Sequence, residues 1–188
     1  MKNELIIFDF FGVCCGEIAP VWFAKRVPKE EIPALMEKYF VKADLGDVTM
    51  EQLFAEISAD LNVPVPVIKA EWEPLFVLNY ALFDYIARLK QQYTVILLSN
   101  APLELLDDLL DKNDLRKYFD KIFISCHMKL VKPNLEIFRQ CINSFPHKFD
   151  KVYMVDDNPK NLEHLTEINV TPIRFTGNDA VFAAFPLD

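Results

Sequence analysis

Short apolar runs and amphipathic stretches alternate along most of the chain. The first run, Leu5-Ile6-Ile7-Phe8, predicts a buried strand that ends at Asp9. Further on, the pattern predicts helices at 80–91, 102–111, 134–143 and 158–167, and strands at 93–98, 121–124, 151–155 and 170–174. Strands rich in Val, Ile, Leu and Phe between amphipathic helices are typical of a parallel sheet covered on both faces. The pattern therefore predicts an α/β fold.

The stretch from 17 to 76 has a different character, because prolines interrupt it and helical periodicity lies between them. Apolar residues recur with helical spacing at Ile32, Leu35, Met36, Tyr39 and Phe40. A second helix is expected to begin near Thr49, with Gln52 completing a capping box. We therefore expect an all-helical domain at 17–76, inserted between the first strand and the rest of a core domain formed by 1–16 and 77–188.

Polar residues follow four of the predicted strands. These residues are Asp9, Ser99 with Asn100, Lys132 after a short loop, and Asp156 with Asp157. Ligands of open parallel sheets bind outside the carboxyl ends of the strands. The sequence therefore predicts that these side chains converge on one edge of the sheet and form one site.

The residue types in this group are sufficient for phosphoryl transfer through a carboxyl phosphate. Asp9 is the candidate nucleophile, provided that its repulsion from a phosphate is cancelled. A cation held by Asp9 and Asp157, with Asp156 and Asn161 in or near its shell, would cancel it, and oxygen ligands with an incomplete protein cage suit Mg²⁺. Lys132 would neutralise the nucleophile and a phosphoryl oxygen, and the Ser99 hydroxyl would donate a hydrogen bond to the transferring group.

Composition and charge limit the kinds of molecule that the protein is expected to bind. The chain has 188 residues, of which 52% are hydrophobic, and a formal net charge of −8, which disfavours nucleic-acid binding. No apolar stretch approaches the length of a membrane span, and the N-terminus lacks a signal peptide pattern, so we expect a cytoplasmic protein that acts on a small molecule. The four cysteines show no CxxC spacing and are expected to be free thiols. The oligomeric state stays open.

Four segments together resemble the haloacid dehalogenase (HAD) superfamily. They are FDFFGV at 8–13, LLSNA at 97–101, VKPNLEIF at 131–138 and VDDNPKN at 155–161, which are similar to motifs I to IV in the correct order. The resemblance implies a Rossmann-like HAD core with a C1-type helical cap, and a hydrolase. It also implies that Asp9, Ser99 and Lys132 are catalytic, and that Phe11 and Asn100 contact substrate. The metal ligands would be Asp9, the backbone carbonyl of Phe11, Asp156 and Asp157.

The sequence departs from the family pattern at two positions. Phosphatases of the family usually carry a second aspartate two residues after the nucleophile, which acts as general acid and base, and here that position is Phe11. Positioned acid-base catalysis is typically worth about 10² to 10⁴-fold, so reduced efficiency is expected. The second departure is Lys129, where related members often have glycine; it either adds positive charge near the site or faces solvent.

Three functions remain open at this point. The first is a Mg²⁺-dependent phosphatase acting on a small phosphorylated metabolite. The second is a catalytically impaired protein that binds metal and a phosphorylated ligand or partner, which Phe11 alone supports. The third is a 2-haloacid dehalogenase, which the Asp156-Asp157 pair disfavours because carboxylates not offset by a metal repel an anionic substrate.

Overall fold

A single parallel sheet forms the centre of the molecule. The structure, a computed structural model, describes residues 2–187. Its strands are β1 (Glu4–Phe8), β2 (Thr94–Ser99), β3 (Lys121–Ile124), β4 (Lys151–Asp156) and β5 (Val170–Arg174). They pair in the order β3-β2-β1-β4-β5, and every pair is parallel. The expected α/β class is confirmed, and strands β2 to β5 lie within one residue of their predicted bounds.

Alternate residues of the central strands point to opposite faces of the sheet, as the two-residue period of a strand requires. Ile6 and Phe8 pack on one face together with the helices that precede and follow β2 and the last helix of the chain. Leu5 and Ile7 pack on the other face, together with the helix after β3. Because both faces are covered, strand β2 is buried along its whole length.

Ten α-helices lie within residues 2–187. They are α1 (Ala19–Phe23), α2 (Ile32–Asp44), α3 (Met50–Leu61), α4 (Val65–Trp72), α5 (Tyr80–Leu89), α6 (Leu105–Lys112), α7 (Ser125–Met128), α8 (Leu135–Asn143), α9 (Pro159–Leu162) and α10 (Asn178–Ala184). The sequence pattern did not specify α1, α4, α7 and α10. None of the helices described is long and apolar enough to cross a membrane.

The prediction of one continuous helix at 158–167 is wrong, because the structure has two short helices in this segment. Helix α9 ends at Leu162, the next residue is extended and His164 is left-handed, and a 3₁₀ helix then runs over Leu165–Ile168. Leu162, Leu165 and Ile168 pack in one hydrophobic cluster. Their spacing of three residues fits the tighter turn of a 3₁₀ helix.

Helices α1 to α4 form an all-helical block inserted after β1, as expected. Their buried residues form a separate cluster that is rich in aromatic rings, including Trp22, Tyr39 and Trp72. The predicted capping box of α3 is present, since Thr49 and Gln52 exchange side-chain to backbone hydrogen bonds of 3.2 and 2.8 Å. We call this block the cap and the remainder the core; the domain bounds 17–76 for the cap and 1–16 with 77–188 for the core stay a prediction.

Candidate active site

Asp9 lies immediately after strand β1, at the carboxyl edge of the sheet. Its backbone N–H continues the ladder by donating to the carbonyl of Val155 at 2.9 Å. Its carboxylate turns back toward the chain and accepts a hydrogen bond of 2.7 Å from the backbone N–H of Phe10 at Oδ1. Among residues 2–187, no hydrogen bond to Oδ2 is present. One carboxylate oxygen is therefore held in place while the other is available to a ligand.

Lys132 lies between two of the predicted carboxylates. Its Nζ is 2.9 Å from Asp9 Oδ1 and 2.6 Å from Asp156 Oδ2, and the lysine side chain has no exposed surface. Burial by itself would lower the pKa of Lys132, but attraction to Asp9 and Asp156 raises the pKa above its ordinary value. The ammonium group therefore stays charged and fixes the positions of both carboxylates.

The carboxylate of Asp156 is fully used by protein hydrogen bonds. Its Oδ1 accepts from the backbone N–H of Asn158 at 2.8 Å and from Asn161 Nδ2 at 3.1 Å. Its Oδ2 accepts from Lys132 and, at 3.1 Å, again from Asn161. These bonds make Asp156 the residue that orients Lys132. The metal contact expected of Asp156 stays a prediction.

The next carboxylate, Asp157, faces the open side of the same group. One oxygen from each of Asp9, Asp156 and Asp157 can be chosen so that all three lie within 4.8 Å of one another. Burial and the neighbouring Asp156 raise the pKa of Asp157, and burial also raises the pKa of Asp9 against the pull of Lys132. A hard divalent cation such as Mg²⁺ fits this donor set, because it prefers oxygen ligands and would offset the excess of negative charge. Asp9 and Asp157 would hold it.

Ser99 and Asn100 end strand β2 but have different surroundings. Ser99 is fully buried, and its hydroxyl donates to the carbonyl of Asn100 at the long distance of 3.4 Å. The Asn100 amide bonds to the backbone N–H and carbonyl of Lys132 at 2.8 and 3.0 Å. Asn100 thus anchors the loop that carries Lys132. The substrate contacts expected of Ser99 and Asn100 stay predictions.

A cavity of about 310 Å³ opens above Asp9 and lies between the core and the cap. We call its core side the floor; Asp9, Asn100, Lys132, Asp157 and Asn161 line it. We call its cap side the roof; it is mostly apolar and is lined by Ile18, Ala19, Met36, Phe40 and Trp72. Phe11 also lines the cavity and packs against both the core and the cap clusters. The volume is at the lower end of the range for small-molecule sites.

Three charged residues that sequence reasoning did not assign also line the cavity: Glu17, Asp44 and Lys160. Burial, reinforced by Asp157 and Asp156, raises the pKa of Glu17 to about 7. Burial raises the pKa of Asp44 to about 7, with Lys132 acting in the opposite direction. Lys160 lies in the VDDNPKN segment, so the motif could have indicated that it is close to the site. Nothing in the sequence distinguishes Asp44 from the other acidic residues of the cap.

The other departure from the family pattern, Lys129, contacts the cap. Its Nζ donates to the carbonyl of Gly46 at 2.7 Å and lies 3.6 Å from Asp47 Oδ1, while the side chain stays 60% exposed. Of the two expectations for Lys129, the structure favours a group that faces solvent, because Lys129 bonds the loop between α2 and α3 and is not among the residues that line the cavity.

Comparison with known proteins identifies the family. The family model for haloacid dehalogenase-like hydrolases matches residues 4–167, which is most of the chain. The chain therefore belongs to the HAD-like hydrolases, as the four motifs indicated. No curated protein sequence matches it.

Solved structures share the fold at low sequence identity. A predicted HAD-like family hydrolase from Porphyromonas gingivalis is 21% identical, with a TM-score of 0.75 and complete coverage of both chains. A HAD family enzyme from Bacteroides thetaiotaomicron is 20% identical, with a TM-score of 0.78 and complete coverage of both chains. The wild-type form of that enzyme has been solved with magnesium and inorganic phosphate; it is 22% identical, with a TM-score of 0.72, and the match covers 91% of this chain and 93% of that one.

Proposed function

We propose that this hydrolase is a Mg²⁺-dependent phosphatase that acts on a small phosphorylated metabolite through an aspartyl phosphate. The observation that carries the proposal is the floor of the cavity. Asp9 presents one oxygen that receives no hydrogen bond from any described residue, beside a buried lysine and a second carboxylate, Asp157, at the base of a cavity of small-molecule size. The magnesium and phosphate bound by the Bacteroides thetaiotaomicron enzyme support the same reading.

The residues of the floor have separate roles in this proposal. Asp9 attacks the phosphorus atom of the substrate, and the bond to the leaving oxygen breaks. Lys132 holds Asp9 in the attacking position and neutralises negative charge, while Asp156 and Asn161 keep the ammonium group in place. A Mg²⁺ ion, which Asp9 and Asp157 would hold, would supply further neutralisation of the negative charge on the phosphoryl group. Water then attacks the aspartyl phosphate, which releases inorganic phosphate and regenerates the carboxylate.

The paired carboxylates favour this function over dehalogenation. A dehalogenase of this superfamily also uses the first aspartate, and solved dehalogenases resemble this chain at 14–15% identity. That reaction needs no metal, however, and Asp157 without a cation would repel both the nucleophile and an anionic substrate. A phosphatase would use Asp157 to bind the metal. In a dehalogenase, the charge of Asp157 would only oppose the binding of an anionic substrate.

The test is turnover of para-nitrophenyl phosphate with Mg²⁺ by the wild-type protein and by Asp9→Asn. We expect activity in the wild type and its loss, by at least about 10³-fold, in the variant, because an amide is not a competent nucleophile. Circular dichroism of both proteins controls for folding. A folded, Mg²⁺-loaded wild type that turns over no phosphate ester would favour the binding function, and halide release from a 2-haloacid in the presence of chelator would favour the dehalogenase.

A further inference from the structure

Asp44 is a cap residue with a carboxyl group that lines the cavity. It is the last residue of α2, and it lines the same cavity as Asp9 and Lys132. Phe11, which occupies the usual position of the acid and base, lines this cavity too but carries no ionisable group. The cavity therefore has a carboxyl group in its roof and an apolar ring at the position where the family has its second aspartate.

The backbone around Asp44 is fixed to the core by two hydrogen bonds. The Ser125 hydroxyl donates to the carbonyl of Asp44 at 2.6 Å and accepts from the backbone N–H of Ala101 at 3.0 Å. Two residues further on, Lys129 Nζ donates to the carbonyl of Gly46. Ser125 and Lys129 belong to the segment that leads to Lys132. The end of α2 is therefore positioned relative to the catalytic floor and does not depend on cap packing alone.

The carboxyl group of Asp44 has no hydrogen bond or ion pair with any other described side chain. The charged and titratable groups around it are Lys132 across the cavity, the Cys126 thiol of α7, and Lys129, whose ammonium group is already bonded to the Gly46 loop. Burial raises the pKa of Asp44 to about 7. Both protonation states are then populated near neutral pH, as a group that first donates and later accepts a proton requires.

Glu17 is the other carboxyl group in the roof region, and its surroundings suit a different role. The charges of Asp157 and Asp156 contribute to its raised pKa, so it faces the acidic end of the floor. A cation bound between Asp9 and Asp157 would favour the ionised form of Glu17 and remove the proton that a general acid needs. Burial alone raises the pKa of Asp44, with Lys132 acting against it, so its proton does not depend on floor carboxylates that a bound cation would neutralise.

We propose that Asp44 is the general acid and base of the reaction, in place of the side chain that Phe11 lacks. This inference rests on the proposed phosphatase function. As Asp9 forms its bond to phosphorus, the bond to the leaving oxygen breaks and that oxygen takes the proton of Asp44. The Asp44 carboxylate then takes a proton from water while the water oxygen bonds to phosphorus, and the bond between phosphorus and Asp9 breaks. The products are an alcohol and inorganic phosphate, and both aspartates return to their starting states.

The test compares Asp44→Asn with the wild type on two substrates, glycerol phosphate and para-nitrophenyl phosphate. The alkyl leaving group needs a proton and the aryl one does not. We expect kcat/KM for glycerol phosphate to fall by about 10² to 10⁴-fold, and kcat/KM for the aryl ester to change by less than about tenfold. Because water attack also loses its base, the aryl ester should give a burst of nitrophenol equal to the enzyme concentration, followed by slow turnover.

The pH profile provides a second readout. The proton of Asp44 is present below its pKa of about 7 and is lost above it, so wild-type kcat/KM for glycerol phosphate should fall above about pH 7. Asp44→Asn should lack this limb, and Asp44→Glu should restore part of it. Glu17→Gln is the matched control and should affect the two esters to the same extent.

The outcomes separate this inference from the function on which it rests. An equal fall in kcat/KM for both esters, or no burst with the aryl ester, would show that Asp44 is structural and overturn the inference while the phosphatase function stands. A folded wild type that releases no nitrophenol, or release that persists in Asp9→Asn, would overturn the proposed phosphatase function through Asp9. Unfolding curves of the Asp44 variants identify any loss that comes from misfolding, and in that case Asp44→Glu decides.

Discussion

The floor and the roof of the cavity are built in different ways. On the floor, Lys132 contacts two carboxylates within 3 Å, and every oxygen of Asp156 has a partner. On the roof, Met36, Phe40 and Trp72 contribute apolar surface, and Asp44 has no side-chain partner among residues 2–187. The floor is thus held by directional bonds and the roof by packing.

This difference indicates which part of the site fixes chemistry and which part selects the substrate. A buried polar network keeps one geometry, because breaking any of its bonds leaves a group without a partner in a region of low dielectric constant. Apolar packing tolerates changes of shape much better, provided that volume is kept. We therefore expect floor variants to lose the reaction, and variants of the apolar roof residues to change substrate preference.

The largest effect is expected for Lys132→Met on the floor. Removing the ammonium group leaves Asp9 and Asp156 buried without their shared partner, which should lower the free energy of unfolding by about 3–5 kcal/mol. Turnover of para-nitrophenyl phosphate should fall by about 10³-fold. Urea unfolding and steady-state kinetics measure the two effects.

Lys160→Met is the control for this variant, because Lys160 lines the cavity but is exposed and outside the Lys132 network. It should leave the free energy of unfolding within about 0.5 kcal/mol of the wild type. Equal stability of Lys132→Met and Lys160→Met would contradict the view that the floor is a tightly bonded network.

A smaller effect is expected for Gly12→Ala, which tests the position of Asp157. Gly12 has a φ of +83°, and a Cβ there would lie 2.5 Å from Asp157 Oδ1. The left-handed backbone should cost about 1–2 kcal/mol. Displacement of the carboxylate should also weaken Mg²⁺ binding and lower kcat by about 10²-fold, which titration with Mg²⁺ during turnover measures.

The matched control is Gly177→Ala. Gly177 also has a positive φ, +137°, but a Cβ there would meet no atom within 4 Å. This variant should show a loss of stability from the backbone and no change in Mg²⁺ dependence. If Mg²⁺ binding weakens to the same extent in both glycine variants, the proximity of Gly12 to Asp157 does not account for the effect.

The smallest effect is expected on the roof, for Trp72→Phe. The indole N–H of Trp72 is buried and has no hydrogen-bond partner among the residues described, so its removal offsets part of the lost packing. The variant should keep kcat for the aryl ester and change KM values across a panel of phosphorylated metabolites by about tenfold.

Trp22→Phe is the comparison, because Trp22 packs in the same cluster but lies outside the cavity lining. Its Nε1 donates to Glu71 Oε2 at 2.7 Å, and removal of that bond should cost about 1.5–3 kcal/mol. It should leave the order of preferred substrates unchanged. A changed order in Trp22→Phe, or a large loss of kcat in Trp72→Phe, would contradict the separation of floor and roof.

Much of the fold was predictable because strands and capping motifs are local. Strands β3 and β5 have the bounds that the sequence pattern predicts, and the Thr49 and Gln52 capping box marked the start of α3. The helix at 158–167 was predicted as continuous because apolar spacing alone does not distinguish a helix from two short pieces. The break falls at His164, whose left-handed backbone no periodicity of apolar residues indicates.

The candidate site also has some features that local sequence predicts and others that depend on tertiary contacts. Asp9, Lys132, Asp156 and Asp157 were predictable, because the end of a parallel strand always points to the same edge of the sheet. The separate roles of Asp156 and Asp157 were not predictable, since they depend on which of the two carboxylates faces Lys132 and which faces the cavity. That choice is made by the loop after β4 and by Asn161.

The sequence by itself determined the family, the parallel sheet and the edge at which polar residues gather, because these follow from periodicity and from motifs of a few residues. Only the tertiary structure decided that Asp44, thirty-five positions from Asp9 in the chain, lies over the same cavity. The reason is physical: helix α2 packs against its own cluster and its end bonds to Ser125, and contacts so far apart in the chain leave no local pattern.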